Sequence, residues 1–152
     1  MLGASKATNT RSYQLLNTGT ITSTGAQSYT IPAGTLYLEI EMWGAGGGGS
    51  KGKFVAGSKG AADESRFGGG GGGGAYVKHK YYGAANMQAS DTLNFTVGAG
   101  GNGSTSDGVD GVNGGNTTLD THTRSASTIT TFSSISAGGG GGGHRPTVVD
   151  AG

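Results

Sequence analysis

Several stretches of this chain carry residue types at spacings that could do chemistry. Gly44-Ala45-Gly46-Gly47-Gly48-Gly49 fits the G-x-G-x-x-G pattern of a dinucleotide-binding turn, and Asp63 stands about where a ribose-binding carboxylate would. That pattern works only where the glycines open a helix whose N-terminus faces the pyrophosphate. Lys51–Ser65 contains Gly52, Gly57 and Gly60, which makes it a poor helix, and no βαβ unit surrounds it. In a chain with 35 glycines the match is nearly automatic. Gly47 to Lys53 fits G-x-x-x-x-G-K, but Phe54 stands where a hydroxyl must reach Mg²⁺, so no P-loop is expected. Asp107 and Asp110, with Asn102 and Asn113 nearby, offer oxygens to a calcium ion, although hard cations take six or more and a solvated Gly/Asn turn has the same composition. His79, His122 and His144 lie at no metal-binding spacing. Ser, His and Asp are present without a nucleophile elbow. These residues point to no enzyme, no cofactor and no metal centre.

The remaining chemistry is recognition. Phe54, Arg66, Phe67, Tyr81 and Tyr82 fall in or beside loops, and aromatics next to cations suit contact with sugars or protein surfaces. They are the candidate receptor contacts; covering the sides of a scaffold is their structural alternative. Trp43, where a strand runs into glycine, reads as a cap on that scaffold.

The elements that must position these residues are glycine runs: Gly46–Gly49, Gly68–Gly74 and Gly138–Gly143, with shorter pairs at Gly100–Gly101 and Gly114–Gly115. Fixing one backbone residue costs roughly 1–2 kcal/mol, and glycine loses most. A run has no side chains to bury in return. Each net hydrogen bond contributes about 1 kcal/mol and a Cα–H···O contact about half that. An isolated run stays unfolded; several runs packed side by side bond laterally through every N–H and C=O. The polyproline-II helix, three residues per turn and without internal hydrogen bonds, permits this packing. Collagen is excluded by the absence of a G-X-Y period and by only two prolines. Silk-like stacked sheet stays open as the alternative. Gly46, Gly48, Gly70, Gly71, Gly72, Gly140 and Gly141 are the expected scaffold positions, and Gly71→Val is expected to disrupt the fold.

The 152 residues suit one domain, with 32% hydrophobic and 12% charged residues, net charge +1 and no cysteine. That balance argues against nucleic-acid binding, and no apolar stretch reaches the length of a membrane span. Beginning at Met1 without a signal-peptide core, the chain reads as a complete product of cytoplasmic synthesis. Alternation predicts a strand over Leu36–Trp43, with Leu36, Leu38, Ile40 and Met42 on one face and Tyr37, Glu39, Glu41 and Trp43 on the other. Further strands are expected at Gln27–Ile31, Ala75–Tyr82, Thr92–Val97 and Ser127–Ile135. Lys51–Phe67 and Ser104–Asn113 read as loops, Met1–Gly25 as a polar arm, and residues 26–152 as the glycine-rich domain. The fold class is all-β: a small β-sandwich continued into a bundle of polyglycine-II helices, without significant α-helix.

The order of motifs is specific: Ser28-Tyr29-Thr30-Ile31-Pro32-Ala33-Gly34, then Leu38 to Gly49, Gly70–Gly74-Ala75-Tyr76, Phe95 to Gly103, and Gly114-Gly115-Asn116-Thr117-Thr118. It resembles the glycine-rich domain of bacteriophage tail-fibre and other virion proteins over roughly Gln27 to Gly143. More loosely, it is similar to the polyglycine-II adhesins at the tips of phage long tail fibres. The glycine-rich domain of certain animal receptor kinases shares the architecture but uses cysteines, which this chain lacks. The resemblance implies display on a virion surface, with other virion proteins and a host receptor (polysaccharide or outer-membrane protein) as partners. It also implies a homo-oligomer, with a trimer favoured. A receptor-binding subunit is the first expectation, a capsid decoration or fibre protein the second, and an ice-binding protein a weaker third.

Overall fold

The computed structural model describes residues 14–57, 64–82, 88–124, 127–129 and 134–147. They contain nine strands and no helix: β1 (Gly25–Thr30), β2 (Tyr37–Trp43), β3 (Lys53–Val55), β4 (Glu64–Arg66), β5 (Tyr76–Tyr82), β6 (Thr92–Val97), β7 (Thr117–Arg124), β8 (Ser127–Ile129) and β9 (Ile135–Ala137). The fold is all-β. Residues 1–13, which make up most of the expected arm, lie outside the described residues.

Two antiparallel sheets form a sandwich. One runs β1-β6-β7, with β8 and β9 sharing the far edge of β7; the other is the ribbon β2-β5. Ile31, Met42, Leu93, Leu119 and Ala137 are its buried core, flanked by Leu38, Ile40, Val77, Tyr81, Phe95 and Ile135. The alternation expected for β2 holds from Leu38 to Trp43, because a strand with one buried face places every second side chain inward; Leu36, expected on the same inward face, precedes the strand and is exposed. β1, β2 and β5 begin or end within a residue or two of expectation, and β6 matches it.

β7 is the central strand that alternation missed. Its register against β6 shifts between Asn94/Phe95, where Leu119 and Thr121 are the successive partners and Asp120 is the extra residue. Such a bulge turns two successive side chains to one face. Asp120 and Thr121 both face outward, so Leu119 and His122, three residues apart, can both be buried. The single strand expected over Ser127–Ile135 is two pieces, β8 and β9, paired to opposite ends of β7.

At the end of the sandwich distant from the glycines, Asp91 ties the turn before β6 to β7. Its carboxylate accepts from the Gln88 N–H at 2.8 Å, from Arg124 Nε and Nη2 at 2.9 and 2.7 Å, and from His122 Nε2 at 2.8 Å. Arg124 first, then the Gln88 and His122 hydrogen bonds, hold the carboxyl well below the usual carboxylate range against the opposing effect of burial.

Five strands run directly into or out of five extended glycine segments, at residues 44–50, 69–75, 98–104, 111–116 and 138–144, here the first to fifth glycine helices. Their lateral bonds step by three. Gly44, Gly47 and Ser50 donate to Ala75, Gly72 and Gly69 of the second helix; Ala45 and Gly48 donate to Gly115 and Val112 of the fourth. Gly101 and Ser104 of the third donate to Gly46 and Gly49, and Gly140 and Gly143 of the fifth donate to Ala45 and Gly48. A step of three is the signature of the polyproline-II helix, whose turn brings every third residue to the same side. The first helix is therefore the centre, the other four lie against it, and successive neighbours around it bond to one another: second to fifth, fifth to fourth, fourth to third.

Close approach explains glycine here better than freedom of φ, since positive φ among the described glycines occurs only at Gly25, Gly34 and Gly108, outside the bundle. A Cβ on Gly48, Gly71 or Gly140 would fall on the carbonyl of Asn102, Gly47 or Gly72. The expected scaffold glycines separate into two kinds on this test. Gly70 and Gly141 face open space, Gly46 would make only ordinary contact, and Gly72 would be tight at 3.2 Å. Trp43 does not cap the bundle: it lies 60% exposed on the outer face of the ribbon, its ring 5.1 Å from that of Tyr76 across the strands. The alternating pleat requires this, because Met42 takes the inward position beside it.

Candidate functional site

The bundle separates the sandwich from a cluster of loops at its other end. The first, third and fifth helices run toward this tip and the second and fourth run back. The tip contains the β3–β4 hairpin, the 104–110 loop and residues 144–147. The hairpin corrects the reading of Lys51–Phe67 as loop alone: Lys53 pairs with Arg66, Phe54 with Ser65 and Val55 with Glu64. Residues 58–63, including Lys59 and Asp63, lie outside the described residues.

Polar contacts join the three parts. Lys51 Nζ lies 2.9 Å from Asp107 Oδ1, Arg66 Nη1 donates to the Thr147 carbonyl at 2.6 Å, and Arg145 Nη1 donates to the Gly108 carbonyl at 3.1 Å. Ser50 Oγ donates to the His144 carbonyl at 2.6 Å and accepts from the Gly69 N–H at 2.7 Å. Exposed pairs of this kind contribute little singly. Their effect here is to hold three chain segments in one arrangement. Between the hairpin and the 104–110 loop lies a shallow depression lined by Lys51, Lys53, Phe54, Ser65, Arg66 and Asp107. Phe54 is 59% exposed and Phe67 92% exposed.

Asp107 and Asp110 do not converge on a common point. Asp107 faces Lys51, whereas Asp110 Oδ1 accepts from the Arg145 N–H at 2.6 Å. Asp110 is one rung of a ladder: Asn113 Oδ1 accepts from Gly142 N–H at 2.7 Å and Asn116 Oδ1 from Gly139 N–H at 2.9 Å. Acceptors at 110, 113 and 116 meet donors at 145, 142 and 139, a step of three on both helices. Side-chain oxygens thus complete lateral bonding between the fourth and fifth helices where backbone carbonyls do not. Sequence reasoning missed this ladder, although Asp110-x-x-Asn113-x-x-Asn116 spells its period; Asp110 and Asn113 fall in the stretch read as a polar loop. No group of three or more His, Cys, Asp or Glu converges among the described residues. Gly44–Gly49 opens no helix, so the N-terminal dipole that a dinucleotide site needs is not formed there.

Of the candidate receptor contacts, Phe54, Arg66 and Phe67 meet at the tip, and Tyr81 and Tyr82 do not. These two end β5 on the far side of bundle and ribbon, about 45 Å of extended chain from Phe67 at roughly 3.1–3.3 Å per residue. Tyr81 points into the sandwich beside the core, and burial pushes its hydroxyl pKa up to about 12. It belongs to packing. Tyr82 is 61% exposed, with its ring 5.0 Å from that of Tyr37.

A sheet sandwich continued into a glycine-rich bundle and ending in tied loops defines a glycine-rich structural module. The chain belongs to the glycine-rich domain family, whose model matches residues 21–152. No curated protein and no solved structure shows detectable similarity to it.

Proposed function

We propose that this chain is a bacteriophage virion surface protein whose tip loops bind the host cell surface. The observation that carries the reading is the placement of Phe54 and Phe67, strongly exposed, on and beside a hairpin held at the end of a glycine-rich bundle. Exposed large aromatics on a fixed frame are anchors for a partner, because they bury much area at little cost in conformational entropy. Lys51, Lys53 and Arg66 around Phe54 add donors for polar receptor groups. The scaffold supplies rigidity and the loops supply specificity, a division suited to surfaces that change with the host.

In this reading the N-terminal arm, residues 1–25, attaches the subunit to other virion proteins, and the working form is a homo-oligomer, with a trimer favoured. The protein acts on the virion surface without catalysing a reaction. Exchanging the 51–66 and 104–110 loops is expected to change adsorption by at least tenfold while the melting temperature stays within a few degrees. Adsorption unchanged by the exchange would overturn the receptor reading. Release of the protein from particles on deletion of residues 1–25, with no effect of loop exchange, would establish the decoration reading instead. Ice binding needs a free, flat hydroxyl array. On the outer sheet face Thr96 and Thr118 instead donate to Asp120, and Asn94 donates to Thr121, so their hydroxyls are engaged within the chain.

A further inference from the structure

The outer face of the β2–β5 ribbon is organised differently from the outer face of the other sheet. Cross-strand registers place Trp43 opposite Tyr76, Glu41 opposite Lys78, Glu39 opposite Lys80 and Tyr37 opposite Tyr82, all facing outward. Aromatic pairs with tilted rings therefore stand at both ends, six residues or about 20 Å apart at roughly 3.3 Å per residue. Between them lies a closed charge ladder. Lys78 Nζ contacts Glu39 and lies 2.8 Å from Glu41, Lys80 Nζ lies 3.2 Å from Glu39, and the Tyr37 hydroxyl donates to Glu39 at 2.6 Å. Lys80 also sits 5.8 Å over the Tyr37 ring. The Lys78 hydrogen bond, then that of Tyr37, lowers the Glu39 carboxyl to about 2, so this carboxylate at the centre of the ladder is ionised across the physiological range.

From this geometry we infer that the ribbon face is a binding site for an extended, uncharged polysaccharide lying along the strands. Two carboxylates answer two ammonium groups, so the face offers no net charge to a nucleic acid or to an acidic or basic peptide. An apolar protein surface laid over the ladder would have to desolvate four ions. A neutral sugar chain avoids both penalties. Its C–H faces cover the exposed rings of Trp43, Tyr76 and Tyr82, and its hydroxyls make charge-assisted hydrogen bonds to the ladder. The two aromatic platforms, in line and about 20 Å apart, require a straight chain of several sugar units to engage both. The site is on the sandwich, remote from the tip, and does not depend on the receptor reading of the loops.

Trp43 is the single tryptophan of the chain and lies in this face, so its emission reports on occupancy. The test is titration of the intact protein with cellohexaose, chitohexaose, xylohexaose and mannohexaose, followed by tryptophan fluorescence. A saturable change with at least one of them is expected, retained in about 0.5 M NaCl, where surface charges are screened. Tyr82→Ala, at the other end from the reporter, is expected to weaken binding about 3–10-fold, the effect of one lost aromatic contact. Tyr82→Phe should restore it, which separates loss of the ring from damage to the fold. No saturable change with any of the four sugars would overturn the proposal. So would binding abolished by salt, or binding equally tight in Tyr82→Ala.

Discussion

The sandwich and the glycine bundle are parts of one continuous chain, yet they are vulnerable to opposite changes. In the sandwich Ile31, Leu93 and Leu119 are almost wholly inaccessible, and stability comes from atoms that fill space. In the bundle the space between neighbouring backbones is already closed, and stability comes from lateral N–H···O bonds that exist only because no side chain intervenes. The sandwich fails when atoms are removed; the bundle fails when they are added. Low hydrophobic content is therefore no sign of weakness in such a chain. It shows that the cohesion of the bundle comes from groups every residue carries.

Adjacent glycines in the second helix give the most direct way to break that contrast. Gly71→Ala places a methyl group on the Gly47 carbonyl and is expected to cost at least about 3 kcal/mol, with Gly71→Val abolishing the fold; thermal melts followed by circular dichroism read this. Wild-type melting of Gly71→Ala would mean that the bundle is not packed as described. In the sandwich, Asp91→Asn weakens the contact with Arg124 and His122 and is expected to cost about 3 kcal/mol. Its pH dependence has a definite sign. Because the folded carboxyl titrates below its ordinary value of 3.8, the stabilisation is complete above that value and lost as pH falls below it. Wild-type stability should drop through that acid range, whereas the Asn variant should start lower and change less there. Parallel acid melting profiles would remove Asp91 from the account.

Smaller effects sharpen the comparison. Asn113→Ala deletes one exposed rung of the side-chain ladder and should cost about 1 kcal/mol by denaturant unfolding. An unaltered midpoint would mean that water replaces the rung in full. Gly70→Ala, one residue from the most damaging position, faces open space and should be neutral or stabilising by up to about 1 kcal/mol through reduced freedom of the unfolded chain. A loss as large as that of Gly71→Ala would show that sequence position alone, and not orientation within the three-residue turn, decides tolerance.

The same physics sets what could be read from the sequence. β2 and β5 were legible because a strand covered on one face must alternate, and Leu38, Ile40 and Met42 do so without interruption. β7 was not, because its bulge at Asp120 breaks the alternation that would have revealed it. The glycine runs announced the bundle through the energy of ordering them. Their limits were hidden at Val112 and Asn113, since two of every three positions can carry side chains outward when the lattice has a free edge there. At the candidate site, Phe54, Arg66 and Phe67, named in one set with Tyr81 and Tyr82, share one end of the bundle because they sit within one break in the glycine pattern. Tyr81 and Tyr82 are neighbours in sequence, but adjacent residues of a strand face opposite ways: Tyr81 is partly buried against the core and Tyr82 is exposed.

The three-residue step also makes the bundle a ruler with coarse graduations. A glycine helix rises about 3.1 Å per residue, so one added turn moves the tip about 9 Å farther from the sandwich. An insertion of one or two residues in a single helix would rotate its bonding groups away from its neighbours. Lengthening must come as triplets, and in all five helices together, if every lateral bond is to be kept. Reach is therefore the property this architecture changes least easily, and the loops beyond the last graduation are where sequence can vary without asking anything of the rest.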